Sequence, residues 1–450
     1  MSRLSNFILI SIVLCTVGVL FYRGLFNFYF QDDFIHLTLG WINNRSDLIK
    51  LIAPVTNFPY RPIAIQILSF IAVSIFNLNP LPSHLLLFIL HGLNIVLLWT
   101  ILSKLAFSKF PKFFTVFLYA TSSVHFMLLY WWSIVYMLLG TTLMLLNILL
   151  FESIEKSYTF SKLSLFFLIF FLMLITNEAL IIFPLFIIAY SHILQKTQVK
   201  KLIIPSFLFS ILFALLRLNI AQYPLSGDYR IGKAAEVFKT GIWYFFRSLN
   251  LPEGIRMMTK GSYISVFLLL ILIRFLILLI FIKNIKYLTK DSMRLIAFGA
   301  VWYLIFAFPF FLLPNHLSPF YLNTALIGFM IALETLIFPI KIRKINRLSG
   351  FLASIVLGMY GLLSFVNVQF LNKTHWVIWR AQLAKFYLEK TIRTFPTLPQ
   401  GVTIVYKDTK VDPSEIAVVF SGNKALRLYY HDPLLNVVYG RGESQYIISD

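Results

Sequence analysis

Two adjacent carboxylates follow the first apolar segment of the chain. Asp32 and Asp33 stand in the sequence Gln31-Asp32-Asp33-Phe34. Neighbouring carboxylates can divide a reaction between them, because one can take a proton as general base while the other holds a cation or a hydroxyl group. Both are therefore candidate catalytic residues. The alternative is that one of them caps a helix that begins at Phe34.

A second candidate site opens at Tyr60-Arg61-Pro62. Proline suits the first turn of a helix, and the free N–H groups of a helix N-terminus favour an anion. Arg61 could bind a phosphate there through two hydrogen bonds, with Tyr60 as a second substrate-binding residue. The alternative is an arginine that contacts lipid headgroups at the membrane interface.

Two further sites lie in tight turns between apolar runs. Glu178 ends the turn Thr176-Asn177-Glu178, where a carboxylate that serves only solubility is not expected, although it could cap the following helix. His316 follows Pro314 and Asn315 and could donate to a phosphate, although a lone histidine more often makes a structural hydrogen bond. Both are candidate substrate-binding residues.

The elements that must position these residues are membrane-spanning helices. The 450 residues are 59% hydrophobic and only 13% charged, with a mean hydropathy of +0.81. Soluble proteins are about 45–50% apolar and about 25% charged, so the composition excludes a soluble enzyme, a disordered chain and an ordinary nucleic-acid binder. The single cysteine, Cys15, excludes an internal disulfide and a thiolate metal cluster.

Apolar runs predict an all-α polytopic membrane protein with about 11 transmembrane helices, each of which needs roughly 20 residues. The runs are 7–22, 84–102, 113–129, 133–151, 163–176, 179–194, 202–220, 263–282, 295–313, 322–339 and 348–371. The further run 61–77 is predicted to be an interfacial or re-entrant helix on the outer face, because counting it as a span would reverse every later loop.

Charge predicts the orientation. If the N-terminus is cytoplasmic, five connections between spans lie on the cytoplasmic side and hold 16 lysines and arginines: 103–112, 152–162, 195–201, 283–294 and 341–347. The short outer turns 130–132, 177–178 and 314–321 hold none. Cytoplasmic loops are enriched in lysine and arginine, so this assignment also places the C-terminus outside. All four candidate sites then lie at the outer face. Phe-, Ile-, Lys- and Asn-rich composition favours a bacterial inner membrane.

The predicted domains are a transmembrane domain, 1–371, and a small extracytoplasmic tail, 372–450. Outer loops 23–83 and 221–261 belong to the first domain. In the tail, the runs TIVY, IAVVF, ALRLYY and NVVYG alternate with turn residues and predict short strands, hence a β-rich α/β tail.

Other polar residues within the spans favour structural roles. Arg274 and Glu334 lie at similar depth and are predicted to form an ion pair between helices. His84, His91 and Asn94 share one helix, and buried packing is the favoured role.

These motifs resemble the GT-C superfamily of membrane glycosyltransferases, in particular the protein O-mannosyltransferase and aminoarabinose-transferase type and dolichyl-phosphate-mannose mannosyltransferase-like proteins. The likeness is carried by Phe30-Gln31-Asp32-Asp33, Tyr60-Arg61-Pro62, Pro82-Ser83-His84 with His91 and Asn94, and Thr176-Asn177-Glu178-Ala179 with Pro184. It covers about the first 200 residues, extends beyond them by topology alone and leaves out the tail. Asn177 stands where many relatives have lysine.

The resemblance implies transfer of a sugar, with inversion, from a polyprenyl-phosphate donor to a hydroxyl or amine of a protein, lipid or glycan acceptor at the outer face. Asp32 matches the first acidic position and would be the base. Asp33 and Glu178 would orient the acceptor or bind a divalent cation, an option that the sequence leaves open. Arg61 and His316 would stabilise the departing phosphate.

Two other functions remain open. A transporter or lipid flippase would place ionisable residues near mid-membrane, often in broken helices. A non-catalytic assembly factor would use the tail to bind a partner.

Overall fold

The computed structural model describes residues 2–55, 58–105, 107–220, 227–254, 257–339, 347–407, 409–440 and 444–449. Helices dominate this part of the chain. Those of the first domain are α1 (Ser2–Phe21), α2 (Asp32–Leu39), α3 (Leu68–Ser74), α4 (Pro80–Lys104), α5 (Lys109–Thr121), α6 (Phe126–Tyr130), α7 (Val135–Lys156), α8 (Phe160–Leu174), α9 (Phe183–Ile193), α10 (Ile203–Ile220), α11 (Ala234–Ser248), α12 (Lys260–Asn284), α13 (Lys290–Phe311), α14 (Asn323–Ile337) and α15 (Arg347–Thr374).

The architecture is that of a multi-pass integral membrane protein. Among the described residues, eight helices are long and apolar enough to cross a membrane. They are Leu4–Phe26, Pro80–Lys104, Trp132–Lys156, Val199–Leu218, Tyr263–Tyr287, Lys290–Phe311, Pro319–Ile337 and Arg347–Thr374. A ninth would be Lys109–Thr121 with Ser123–Tyr130, which is bent by 41°.

The predicted count of 11 spans is not confirmed. The runs 163–176 and 179–194 form the shorter apolar helices Phe160–Leu174 and Glu178–Ile193. The run 61–77 forms another short apolar helix, Pro62–Ser74, which starts with a π-helical turn over Pro62–Ile67. These three helices are shorter than the eight long helices, and for that reason they are not counted among the candidate membrane spans.

Small residues and polar contacts hold the helices together. Gly299 of α13 meets Gly328 of α14 so closely that a Cβ on either residue would lie 2.6 Å from the other's carbonyl oxygen. Between α4 and α7, Asn94 donates to the Leu138 carbonyl and accepts from Thr142. Such contacts replace the hydrophobic driving force that helices lack in lipid.

The buried histidines of α4 have the predicted packing role. His84 lies against the carbonyls of Pro80 and Tyr130, and His91 against that of Ala120.

The predicted ion pair between Arg274 and Glu334 does not form. Arg274 donates to the Leu270 carbonyl of its own helix. Glu334 is buried, and its Oε1 atom has no hydrogen-bond partner within the described residues. Similar depth in two helices did not suffice, because the Arg274 guanidinium is satisfied by a carbonyl of its own helix.

The tail is an α/β unit and not a series of strands. It contains α16 (Trp376–Thr394), α17 (Pro413–Phe420), α18 (Lys424–Tyr429), β1 (Thr403–Tyr406), β2 (Asn436–Tyr439) and β3 (Tyr446–Ile448). The strands form a parallel sheet in the order β2-β1-β3. TIVY and NVVY are strands as predicted, whereas the prediction for IAVVF and ALRLYY was wrong, because both runs lie in helices.

Local signals explain one of these helices. Asp412 caps α17 by accepting from the Ser414 N–H, and Pro413 occupies its first turn. Ser421 ends the helix with a left-handed backbone at φ 50°. The five apolar residues between these signals fit one helix as well as a buried strand.

The tail packs directly on α2. The Phe420 ring meets the Phe34 ring edge-on at 6.4 Å, and His431 lies 6.4 Å from the Trp41 ring. These contacts place the end of α17 beside the acidic pair.

Candidate functional site

Four of the predicted site residues line a single cavity. It encloses about 760 Å³ and includes Asp32, Arg61, Glu178 and His316 in its wall. These residues come from the start of α2, from the turn before the π-helical segment, from the α8–α9 connection and from the α13–α14 connection. The remaining wall is contributed mainly by aromatic and apolar side chains, among them Trp131, Tyr136, Tyr229, Phe310, Phe320, Tyr321 and Trp376.

Asp32 is the first residue of α2 and faces this cavity. No hydrogen bond to its carboxylate is found within the described part of the chain, so it does not act as a helix cap. Burial raises the pKa of Asp32 above its ordinary value, and the positive charge of Arg380 partly offsets this effect. A half-buried carboxylate with a raised pKa can accept a proton from a bound group.

Asp33 lies behind the wall and does not line the cavity. It is fully buried, and its carboxylate accepts hydrogen bonds from the Phe30 N–H at 3.1 Å, the Ser133 N–H at 2.7 Å and the Ser133 hydroxyl at 2.5 Å. Burial raises its pKa to about 7, although these three donors favour the charged form. The geometry gives Asp33 a positioning role, since it fastens the start of α2 to the connection before α7.

Glu178 joins two arginines. The Arg61 Nε and Nη2 atoms donate to its two carboxylate oxygens at 2.5 Å each, and Arg217 Nη2 donates to Oε1 at 2.8 Å. The Arg61 guanidinium also lies 3.7 Å from the centre of the Tyr136 ring. We call Arg61, Glu178 and Arg217 the arginine cluster. Its formal charge is +1, because one carboxylate faces two guanidinium groups.

Asn177, not Glu178, caps the helical segment that follows. Its side chain accepts from the Ala179 N–H at 3.2 Å. The residue packs against Gly140 of α7, where a Cβ would come within 2.8 Å of the Asn177 side chain. The cap leaves the Glu178 carboxylate to the arginines.

His316 lies in an aromatic corner of the cavity. Its ring is 4.6 Å from the Tyr229 ring and 5.7 Å from the Tyr321 ring. Burial lowers the pKa of His316, an effect that the negative charge of Asp228 partly offsets, and so favours the neutral imidazole. A neutral imidazole can donate one hydrogen bond and accept another.

Tyr60 lies next to the cavity but is not part of its wall. Its hydroxyl donates to the Ile52 carbonyl at 3.0 Å. The neighbouring residues Phe58 and Pro59 reach the cavity in its place.

Three charged wall residues were missed by sequence reasoning. Arg217 is the one cation in the run 202–220, which is a signal in a membrane segment. Arg380 and Glu253 gave no comparable signal, because they lie in a polar tail and a polar loop. Glu253 is 3.4 Å from Nε2 of His375, and His375 Nδ1 accepts from the Val377 N–H, so Nε2 carries the proton toward Glu253.

The carboxylates that the sequence suggested for a divalent cation already face other partners, since Asp33 accepts from Ser133 and Glu178 from two arginines. Within the described residues, no three histidine, cysteine or acidic side chains are grouped to hold a metal ion.

In comparisons with known proteins, no protein-family model and no curated protein sequence matches the chain.

Proposed function

We propose that the protein is an integral membrane glycosyltransferase that moves a sugar from a polyprenyl-phosphate donor to an acceptor at the extracytoplasmic face. The observation that carries the proposal is the presence, in one cavity, of a carboxylate without a hydrogen-bond partner in the described chain and an arginine cluster with excess positive charge. The first suits a proton acceptor and the second a phosphate. The likeness to the GT-C superfamily points to the same reaction.

The reaction needs a base on one side of the sugar and an anion site on the other. Asp32 takes the proton of the acceptor hydroxyl or amine as its oxygen or nitrogen bonds to the anomeric carbon. The bond from that carbon to the phosphate oxygen breaks, and its electron pair leaves with the polyprenyl phosphate. Attack opposite the departing phosphate inverts the anomeric configuration.

The arginine cluster would stabilise the departing phosphate. Arg61 and Arg217 are only 13% and 18% exposed, so an incoming phosphate meets their charge in a poorly solvated setting. Hydrogen bonds from guanidinium groups gain strength there as charge develops on the leaving oxygen. His316 lines the same cavity and would donate a further hydrogen bond.

The walls suit an amphipathic substrate. Trp131 and Trp376 meet edge-on at 5.2 Å, and Phe310 stacks on Tyr321 at 4.1 Å. Aromatic faces can pack on the C–H faces of a sugar, and the surrounding helices provide lipid contact for a polyprenyl chain. The proposed partners are therefore the lipid-linked donor, a protein, lipid or glycan acceptor, and the bilayer.

The proposed orientation has a direct test. We place the N-terminus in the cytoplasm and the cavity outside, in a bacterial inner membrane, on the basis of the lysine and arginine distribution. A reporter fused after Phe370 should then be extracytoplasmic. A cytoplasmic signal at that position would contradict the orientation.

The catalytic role of Asp32 is tested by Asp32→Asn, which removes the proton acceptor and keeps the shape. Purified protein would be incubated with radiolabelled polyprenyl-phosphate sugars and a membrane extract. We expect transfer to fall by roughly 10²–10⁴-fold, the usual contribution of a general base. Asp291→Asn is the matched control, because Asp291 is 67% exposed and, among the residues that the structure describes, its ion-pair partner is Arg294 three residues on. Full activity of Asp32→Asn would contradict the role of the base.

One observation favours the alternative of a transporter or lipid flippase. Glu334 of α14 is fully buried in a membrane span and carries an oxygen without a partner in the described residues. Such carboxylates can serve proton or ion pathways. Glu334→Gln should leave sugar transfer unchanged under the glycosyltransferase proposal, whereas movement of substrate without a covalent product would favour the alternative.

A further inference from the structure

The residue before Asp32 has an unusual backbone. Gln31 adopts φ 49° and ψ −119°, on the side of the Ramachandran map that residues other than glycine rarely use. It immediately precedes α2 and so sets where the Asp32 side chain leaves the chain. A backbone of this kind persists only where its surroundings hold it.

The tail holds Gln31 at three points. The Gln31 N–H donates to the Val419 carbonyl at 2.7 Å, and the Ser421 hydroxyl donates to the Gln31 carbonyl at 2.6 Å. Arg380 Nη1 donates to Oε1 of the Gln31 side chain at 2.6 Å. We call Arg380, Val419 and Ser421 the tail clamp. It satisfies the N–H and the side-chain oxygen of Gln31 and gives the Gln31 carbonyl a second donor, beside the Phe34 N–H at 3.0 Å.

The clamp is continuous with further contacts at the end of α17 and in the cavity wall. Val419 and Ser421 lie at the C-terminal end of α17, where helix carbonyls lack partners within the helix, so the Gln31 N–H also satisfies α17. Arg380 lies 5.1 Å from the Trp376 ring, which packs edge-on against Trp131 in the cavity wall. Both Trp376 and Arg380 are themselves wall residues.

We propose that the α/β tail completes the active site and that Gln31 and Ser421 are positioning residues for Asp32. This inference rests on the proposed function, since it assigns the tail a part in the transfer reaction. The three contacts hold the strained turn in one conformation and thereby aim the carboxylate at the acceptor proton. A base displaced by about 1 Å loses rate although its chemistry is intact.

Ser421→Ala removes one clamp bond without touching the cavity wall. We expect kcat to fall roughly 10-fold with KM within about two-fold, because the acceptor and donor contacts remain. Ser444→Ala is the matched control: the Ser444 hydroxyl also donates to a backbone carbonyl at 2.6 Å, that of Thr403, but within the tail sheet. A merely structural role for Ser421 predicts the same result for both variants.

A second variant separates positioning from folding. Glycine adopts a positive φ freely, so in Gln31→Gly the relief of backbone strain should offset the lost Arg380 hydrogen bond, while the turn becomes less restricted. We expect a lower kcat without loss of thermal stability. Parallel loss of both, or loss of neither, would overturn the inference.

Hydrogen exchange measures the clamp without an activity assay. Exchange of a peptide over residues 28–40 should be faster in Ser421→Ala than in wild type and unchanged in Ser444→Ala, because local opening exposes the start of α2. Equal exchange in all three proteins would overturn the clamp even if the wild type transfers sugar. If the wild type transfers none, the proposed function fails, and exchange alone supports or overturns the clamp.

Discussion

At the scale of the residue, Asp32 and Asp33 show how two identical neighbours acquire different roles. Asp32 faces the cavity, whereas Asp33 is buried with three hydrogen-bond donors. The sequence predicted an acidic site here, and the resemblance to GT-C glycosyltransferases implied that Asp32 is the base, but neither predicted that Asp33 is buried behind the cavity wall. The difference depends on Ser133, which lies 100 residues along the chain.

Arg380 provides a residue-scale prediction about pH. The base must be deprotonated, so kcat/KM should fall as pH drops through the pKa of Asp32. Removing the nearby positive charge in Arg380→Gln should raise that pKa and move the acid limb of the profile to higher pH.

Arg380→Lys is the control, because it retains the charge and should leave the limb near its wild-type position. Both variants alter the hydrogen bond from Arg380 to Gln31, so both can lower the absolute rate. The pH of the acid limb therefore distinguishes the effect of the Arg380 charge on the pKa of Asp32 from its effect on the position of Gln31. An acid limb that stays in place in Arg380→Gln, or moves to lower pH, would contradict Asp32 as the base.

At the scale of the element, short segments position the arginine cluster. Glu178 begins a 3₁₀ segment, Glu178–Ile182, between two short apolar helices, and Arg217 lies near the end of α10. The sequence pattern identified Glu178 as a candidate site residue but did not identify Arg217 as its partner. The two residues are 39 positions apart, and their contact depends on how α10 packs. The same limit led to helices being predicted as strands in the tail, because short apolar runs fit either structure.

Arg217→Gln tests the arginine cluster. The variant keeps the bidentate Arg61–Glu178 pair but removes the excess positive charge, so a departing phosphate loses stabilisation. We expect kcat/KM for the polyprenyl-phosphate donor to fall roughly 100-fold, as for the loss of one charge-stabilising donor elsewhere.

Arg294→Gln is the control for that experiment. Arg294 also pairs with a carboxylate, at 3.2 Å from Asp291, but Arg294 is partly and Asp291 largely exposed, and such pairs contribute little to stability. Equal donor turnover in the two variants would show that the arginine cluster serves folding alone.

At the scale of the whole molecule, the tail and the helical domain build one site. The predicted alternation of loops placed Asp32, Arg61, Glu178 and His316 on one face of the membrane, and the structure has the four residues in the wall of one cavity. The alternation of loops could not supply Arg380 or Trp376, because a likeness limited to the first 200 residues says nothing about where the tail packs. The sequence could therefore predict the wall residues that come from the loops of the helical domain. The wall residues that come from the tail are revealed only by how the tail packs.

The central claim is that this cavity cleaves a lipid-linked sugar and joins the sugar to an acceptor. The most direct measurement places the wild-type protein in vesicles with a polyprenyl-phosphate sugar labelled in the sugar, plus membrane extract as the source of acceptor. We expect that the label leaves the lipid, becomes covalently attached to an acceptor and has the inverted anomeric configuration. Label that stays on the lipid while the lipid crosses the vesicle membrane would contradict the claim.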